Sequence, residues 1–226
     1  MIQENILRLK DDISLICHKL GRNPQEVTIV AVTKYASLSM MEEALKGGML
    51  HVGENKVQEA AQKYVKVKSG IVKHMIGHLQ TNKVKEAVKI FDVIDSVDSV
   101  RLASVIQKEA AKLNKKVDIL IQANTAKEPQ KYGLTEEEVI PATREISQFS
   151  HIRVLGLMTV APLTENHDLV RNCFRKLRKL YETIAKEFMG YPRVPMKFLS
   201  MGMSSDYRIA LEEGANMLRI GSAIFK

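Results

Sequence analysis

The residues from Leu199 to Phe225 read LSMGMSSDYRIALEEGANMLRIGSAIF. An apolar run, MKFLSMG from Met196 to Gly202, leads into a short helical stretch from Ser205 to Glu213. A second apolar run, NMLRIG from Asn216 to Gly221, follows. Continuous apolar strands separated by a helix argue for parallel neighbours in a sheet covered on both faces.

Towards the N-terminus the same alternation repeats. The earlier strand-like runs are VTIVAV (Val27 to Val32), LHV (Leu50 to Val52), VKHMIG (Val72 to Gly77), IFDVID (Ile90 to Asp95), VDILIQA (Val117 to Ala123) and IRVLGLM (Ile152 to Met158). Helical stretches lie between them. One is opened by Ser39 with Glu42 in capping-box spacing and stopped at Gly47-Gly48. The others run from about Asn55 to Lys68, from Thr81, from Ser99 to Leu113, from a Thr135/Glu138 capping box to Gln148, and from Asn166 to Phe188. Eight βα units predict a closed (β/α)8 barrel over an open doubly wound sheet. The chain stops just after strand eight, so a helix from Ile2 to Leu20 is expected to cover the seam where a following helix would lie. No composition shift or linker divides the chain, which reads as one domain over residues 1–226.

Composition narrows the class. Of 226 residues, 45% are hydrophobic and 27% charged, which excludes a chain too polar to bury a core. Trp is absent, with six Tyr and six Phe, so a stacking platform for single-stranded nucleic acid is not expected. Two cysteines, Cys17 and Cys173, form no disulfide framework and no zinc spacing. The first twenty residues lack the apolar core of a signal peptide, and no apolar run reaches membrane-span length. The expectation is a cytoplasmic protein with no membrane partner. The net charge of +8 is spread at helical spacing, as in Arg171, Arg175, Lys176, Arg178 and Lys179, and reads as solvated helix faces rather than a nucleic-acid surface.

In a barrel of this kind chemistry collects where the strands end. Strand one ends AVTK. Lys34 there enters the mouth, where partial desolvation favours the neutral amine that attacks a carbonyl; the alternative is a surface lysine at a strand–loop junction. Asn55 either caps a helix or turns its amide to a ligand. His74 and His78 flank Gly77 on a strand-to-loop turn, which suits a structural role. Met158 can pack on a flat ring or simply fill core. Ser200, Gly202, Met203 and Ser204 end strand seven, and Gly221 and Ser222 end strand eight. Those two loops are the usual phosphate site of such barrels, with backbone N–H groups and small hydroxyls as donors. Arg219 sits two residues deeper, and taken alone reads as a salt-bridged barrel arginine.

Taken together, AVTK, HVGEN, HMIGHLQTNK, the GLM before Pro162, LSMGMSSD and RIGSAIF resemble the pyridoxal phosphate homeostasis family, also called proline synthetase co-transcribed homologues. The resemblance covers Val30 to Phe225. It implies a fold type III barrel like that of alanine racemase, binding pyridoxal 5′-phosphate and helping to control the supply of that cofactor and of amino and keto acids, without robust catalysis. Carried over, Lys34 would form the internal aldimine. Ser200, Met203, Ser204, Gly221 and Ser222 would hold the phosphate, Arg219 would face the pyridine nitrogen, and Asn55 and Met158 would line the cofactor. The partners implied are the cofactor, amino acids, and apo-enzymes that receive it. A monomer is expected, since the racemases' extra β-domain has no counterpart. A racemase acting on amino acids is the competing reading. Two departures from the family pattern concern loops: Ser37 stands where Pro is frequent, and Pro129-Gln130 lie inside NTAKEPQKYG.

Overall fold

The computed structural model describes residues 1–67, 70–126, 128 and 131–226. Eight parallel strands close into a barrel in chain order. They are β1 (Thr28–Val32), β2 (His51–Glu54), β3 (Val72–Met75), β4 (Val93–Val97), β5 (Val117–Gln122), β6 (Ile152–Met158), β7 (Phe198–Ser200) and β8 (Met217–Ile220). The helices are α1 (Ile2–Lys19), α2 (Leu38–Lys46), α3 (Val57–Tyr64), α4 (Val84–Ile90), α5 (Val100–Lys112), α6 (Glu136–Ile146), α7 (His167–Glu187), α8 (Tyr207–Glu212) and α9 (Ser222–Phe225). All eight strands fall within or beside the expected runs. The fourth starts later than expected, because Ile90 ends α4 and Phe91 caps it.

Strand periodicity divides the core. Ile29 and Ala31 of β1, like Leu218 and Ile220 of β8, face outward and pack under the helices. Val30 and Met217 face inward and meet Leu120, Leu155 and Met158 in a separate apolar cluster inside the barrel. The helices bury stripes with 3.6-residue spacing; α7, for example, buries Val170, Cys173, Phe174, Leu177 and Ile184.

Several helix starts follow side-chain chemistry. Ser99 accepts from Leu102 N–H, and Thr135 with Glu138 forms the expected capping box. The start of α2 differs from expectation. Ser37, not Ser39, is the cap, because Ser37 is extended and its Oγ accepts from Met40 N–H at 3.2 Å. Likewise α3 begins after Lys56, so Asn55 is not its cap. Lys68, the expected end of that helix, lies outside the described residues, as do Pro129 and Gln130.

The barrel seam is covered from both ends of the chain. A single helical turn, α9, follows β8 where none was expected. The helix α1 lies against α2, α8 and α9, and Asn5 Nδ2 donates to the carbonyls of Ile224 and Lys226 at 3.1 and 2.9 Å. Among the described residues, no helix is long and apolar enough to cross a membrane.

The basic run on α7 is not a free solvated face. Arg171, Arg175 and Arg178 converge on Glu213 at 3.1, 3.0 and 3.5 Å, and Arg171 also reaches Glu212 at 2.5 Å. Glu213 is 4% exposed. Burial pushes its carboxyl up, but the hydrogen bonds from Arg175 and Arg171 outweigh that and hold it below the ordinary carboxylate range. This ties α7 to the turn after α8. Replacing Glu213 with Ala leaves three guanidinium groups without their shared acceptor. Charge-assisted bonds contribute about 1.5–3 kcal/mol each when buried, and the arginines' partial exposure lowers that, so a loss of about 2 kcal/mol is expected. Thermal unfolding should show this as a fall in Tm of roughly 4–8 °C.

Candidate functional site

The C-terminal ends of β1, β7 and β8 open into one cavity of about 470 Å³. That is within the range of roughly 300–1,000 Å³ for small-molecule sites. Its lining includes Lys34, Tyr35, Met203, Ser204, Arg219, Gly221 and Ser222. The seam puts these residues together. Ala31 of β1 pairs with Ile220 of β8, so the loop carrying Lys34 and the loop carrying Gly221 leave the sheet side by side.

Lys34 lies in the turn directly after β1. Its side chain is half-buried, with Nζ 5.0 Å from the centroid of the Tyr35 ring. Across the cavity, Ser204 Oγ accepts from the backbone N–H of Gly221 at 3.3 Å and of Ala223 at 3.2 Å. Two main-chain donors thus converge on a point that an anionic oxygen could take. Asp206 braces the facing loop, accepting from Met203 N–H at 2.5 Å. Burial raises its carboxyl above the ordinary aspartate value, against the pull of that bond and of Arg219. Gly202 before this loop has φ +97°, and a Cβ there would lie 2.6 Å from that of Ala210.

Arg219 forms the inner wall. Its Nη1 donates to Ser200 Oγ at 2.7 Å and its Nη2 to Thr159 O at 2.6 Å. Burial pushes the guanidinium down from its ordinary value, while Asp95 and Asp206 pull it back up. It has neutral hydrogen-bond partners rather than the salt bridge that a barrel arginine suggests. Ser200 is buried behind it and does not line the cavity. Met158 also lies below the mouth, in the inner apolar cluster. Asn55 lies outside the cavity lining. Gly77 makes room for it, since a Cβ there would sit 2.3 Å from Asn55 O. The structure therefore gathers Lys34, Met203, Ser204, Arg219, Gly221 and Ser222 around the cavity. Ser200 joins them through Arg219, while Met158 and Asn55 sit to one side.

Sequence reasoning missed part of the surroundings. Tyr35 and Met40 line the cavity without a spacing that announces them. His51, His74 and Asp95 form a chain inside the barrel: His51 Nδ1 meets His74 Nε2 at 2.9 Å, and His74 Nδ1 meets Asp95 Oδ1 at 2.8 Å. Inward alternation on β2, β3 and β4 could have found it. His78 instead pairs with Asp98 at 2.8 Å and stacks on Tyr132. Among the described residues, no cluster of three His, Cys, Asp or Glu could hold a metal ion.

A family model described as alanine racemase, N-terminal domain, matches residues 6–226. That defines the class: an alanine racemase-like barrel. The alanine racemase of Clostridium difficile 630 has the same fold, with a TM-score of 0.80 at 12% identity over 98% of this chain and 56% of its own. Nearer relatives are more specific. A pyridoxal phosphate homeostasis protein of Aquifex aeolicus (strain VF5) is 37% identical over 98% of this chain and 96% of its own. PipY of Synechococcus elongatus PCC7942, solved with PLP bound, is 30% identical with a TM-score of 0.86, and each chain is covered in full. The chain belongs to the pyridoxal phosphate homeostasis protein family.

The interior histidine chain yields a pH test. Burial first, then His74, lowers the His51 imidazole to about 4, against an upward pull from Asp95. The unfolded chain therefore binds a proton there at a higher pH than the folded one. That contribution is fully present above the ordinary imidazole value of about 6.5 and is lost as the pH falls towards about 4. Urea unfolding across this window should show stability rising with pH, and His51→Gln should flatten the slope.

Proposed function

We propose that the chain binds pyridoxal 5′-phosphate in the cavity between β1 and β8 and serves in the cell's homeostasis of that cofactor. The observation that carries this reading is the union, in one cavity, of a lysine amine, a pair of convergent backbone donors and a buried arginine. The phosphate would take the place of the Ser204 hydroxyl on the N–H groups of Gly221 and Ala223, with Ser222 and Ser204 as further donors. Lys34 would join the aldehyde carbon as a Schiff base. Arg219 would meet the pyridine nitrogen. The names of the relatives and the PLP-bound PipY structure support the same ligand.

When bound, the cofactor supplies an aldehyde to hold amines and a ring to draw electrons from them. Arg219 has no proton to give at accessible pH, so a ring nitrogen facing it stays unprotonated and draws electrons weakly. This favours custody of the cofactor, and exchange of it with amino acids or apo-enzymes, over rapid proton abstraction. We place this role in the cytoplasm, where the free and buried thiols of Cys17 and Cys173 are at home.

Two measurements test the reading. Lys34→Ala should abolish the yellow chromophore and the label fixed by borohydride; a label on another lysine would move the assignment. Pyridoxal, which lacks the phosphate, should bind more than tenfold more weakly than pyridoxal 5′-phosphate. Each lost charge-assisted bond removes about 1.5–3 kcal/mol, and about 1.4 kcal/mol is already tenfold. Equal affinity for the two would refute the phosphate assignment.

A further inference from the structure

Lys34 sits on a turn, and turns hold a side chain less firmly than strands do. Much of what holds this one lies outside the cavity, on β2 and α3, beside the turn's own bond from Ala36 N–H to Thr33 O at 2.9 Å. Thr33, the residue just before Lys34, is 1% exposed. Its N–H donates to Gly53 O at 2.9 Å, and its hydroxyl donates to Glu54 Oε1 at 2.7 Å. Lys63 Nζ donates to Thr33 O at 2.7 Å and to Glu54 Oε1 at 2.9 Å. The N–H, carbonyl and hydroxyl of Thr33 are all held, and the carbonyl and hydroxyl both bond to the ion pair of half-buried Lys63 and fully buried Glu54.

That pair is a poor device for stability alone. Glu54 is fully buried, and among the described residues its Oε2 has no hydrogen-bond partner. Burying a carboxylate costs several kcal/mol, and an ion pair offsets this only when the remaining lone pairs are satisfied. The arrangement does fix position: the Thr33 carbonyl carbon is bonded to the backbone nitrogen of Lys34.

We propose that Glu54 and Lys63 are positioning residues for Lys34. They hold its backbone so that the amine meets an aldehyde seated by the phosphate cradle across the cavity. This rests on the reading of the site as a pyridoxal 5′-phosphate site. In the step they serve, the amine nitrogen bonds to the aldehyde carbon. The aldehyde oxygen leaves as water with the two amine hydrogens, and a C=N bond remains. Neither residue reaches the cavity lining, so neither contributes to holding the phosphate or the ring.

The test separates condensation from binding. Pyridoxine 5′-phosphate carries the phosphate and ring but no aldehyde, so its affinity reports the site without Lys34 chemistry. In Glu54→Gln and Lys63→Met, condensation of pyridoxal 5′-phosphate, followed by stopped-flow absorbance, should slow by about tenfold or more. A displacement of about 1 Å suffices for such losses. Affinity for pyridoxine 5′-phosphate should stay within about twofold of the unmodified protein. Lys63→Arg, which keeps a donor for both acceptors, should recover most of the rate. Thr33→Val deletes only the hydroxyl contact, and should slow condensation by a smaller factor if either ion-pair variant fails to fold. Condensation at the parental rate in the variants, or a matching loss of pyridoxine 5′-phosphate affinity, would overturn the assignment. No condensation by the unmodified protein would overturn both this assignment and the reading beneath it, so the parent's behaviour tells the two failures apart.

Discussion

The pairing of β1 with β8 is the constraint from which the site follows. Thr28 to Ala31 lie opposite Met217 to Ile220, so the first and last strands of the barrel become neighbours. An open sheet would leave both as edges, with unpaired N–H and C=O groups and residues 34 and 221 far apart. Closure satisfies those groups and delivers the lysine loop to the glycine–serine loop in one step. Residues at both ends of the chain serve the seam, through α1, α9 and the bonds of Asn5.

The barrel interior is divided as well as closed. Val30, Leu120, Leu155, Met158 and Met217 fill it with apolar side chains. His51, His74 and Asp95 bring a hydrogen-bonded polar chain inside the barrel from β2, β3 and β4. Arg219 joins the two regions: it is inward-facing on β8, held by Ser200 and Thr159, and within the field of Asp95. A cation in a packed interior needs many fixed partners, and those partners in turn fix the inner wall of the cavity.

The fold was legible because each βα unit carries its own signal. VDILIQA and IRVLGLM are too apolar to lie anywhere but between the helices outside and the packed interior of the barrel. Lys34, Ser204 and Gly221 were legible for a related reason: residues just past a strand's end in such a barrel must lie at its mouth. Legibility ended where geometry across strands decides. Ser200 has the composition of a phosphate ligand, but its place on β7 turns its hydroxyl to Arg219. Met158 packs into the inner apolar cluster and does not line the cavity. The grip of Lys63 and Glu54 on Thr33 joins three segments, and no local pattern announces it. Arg171, Arg175 and Arg178 read as a solvated stripe because Glu213 lies about 40 residues away in sequence, brought near only by the packing of α8 beside α7.

The Ser204 hydroxyl has a consequence for traffic through the site. It keeps the N–H groups of Gly221 and Ala223 satisfied without help from outside. An incoming anion therefore does not fall into bare donors but displaces an incumbent, and the free energy released is the difference between two acceptors. Departure is eased in the same measure, because the hydroxyl can return as the anion withdraws and no donor is stranded between the two states. Such a cradle works as a swap rather than a trap.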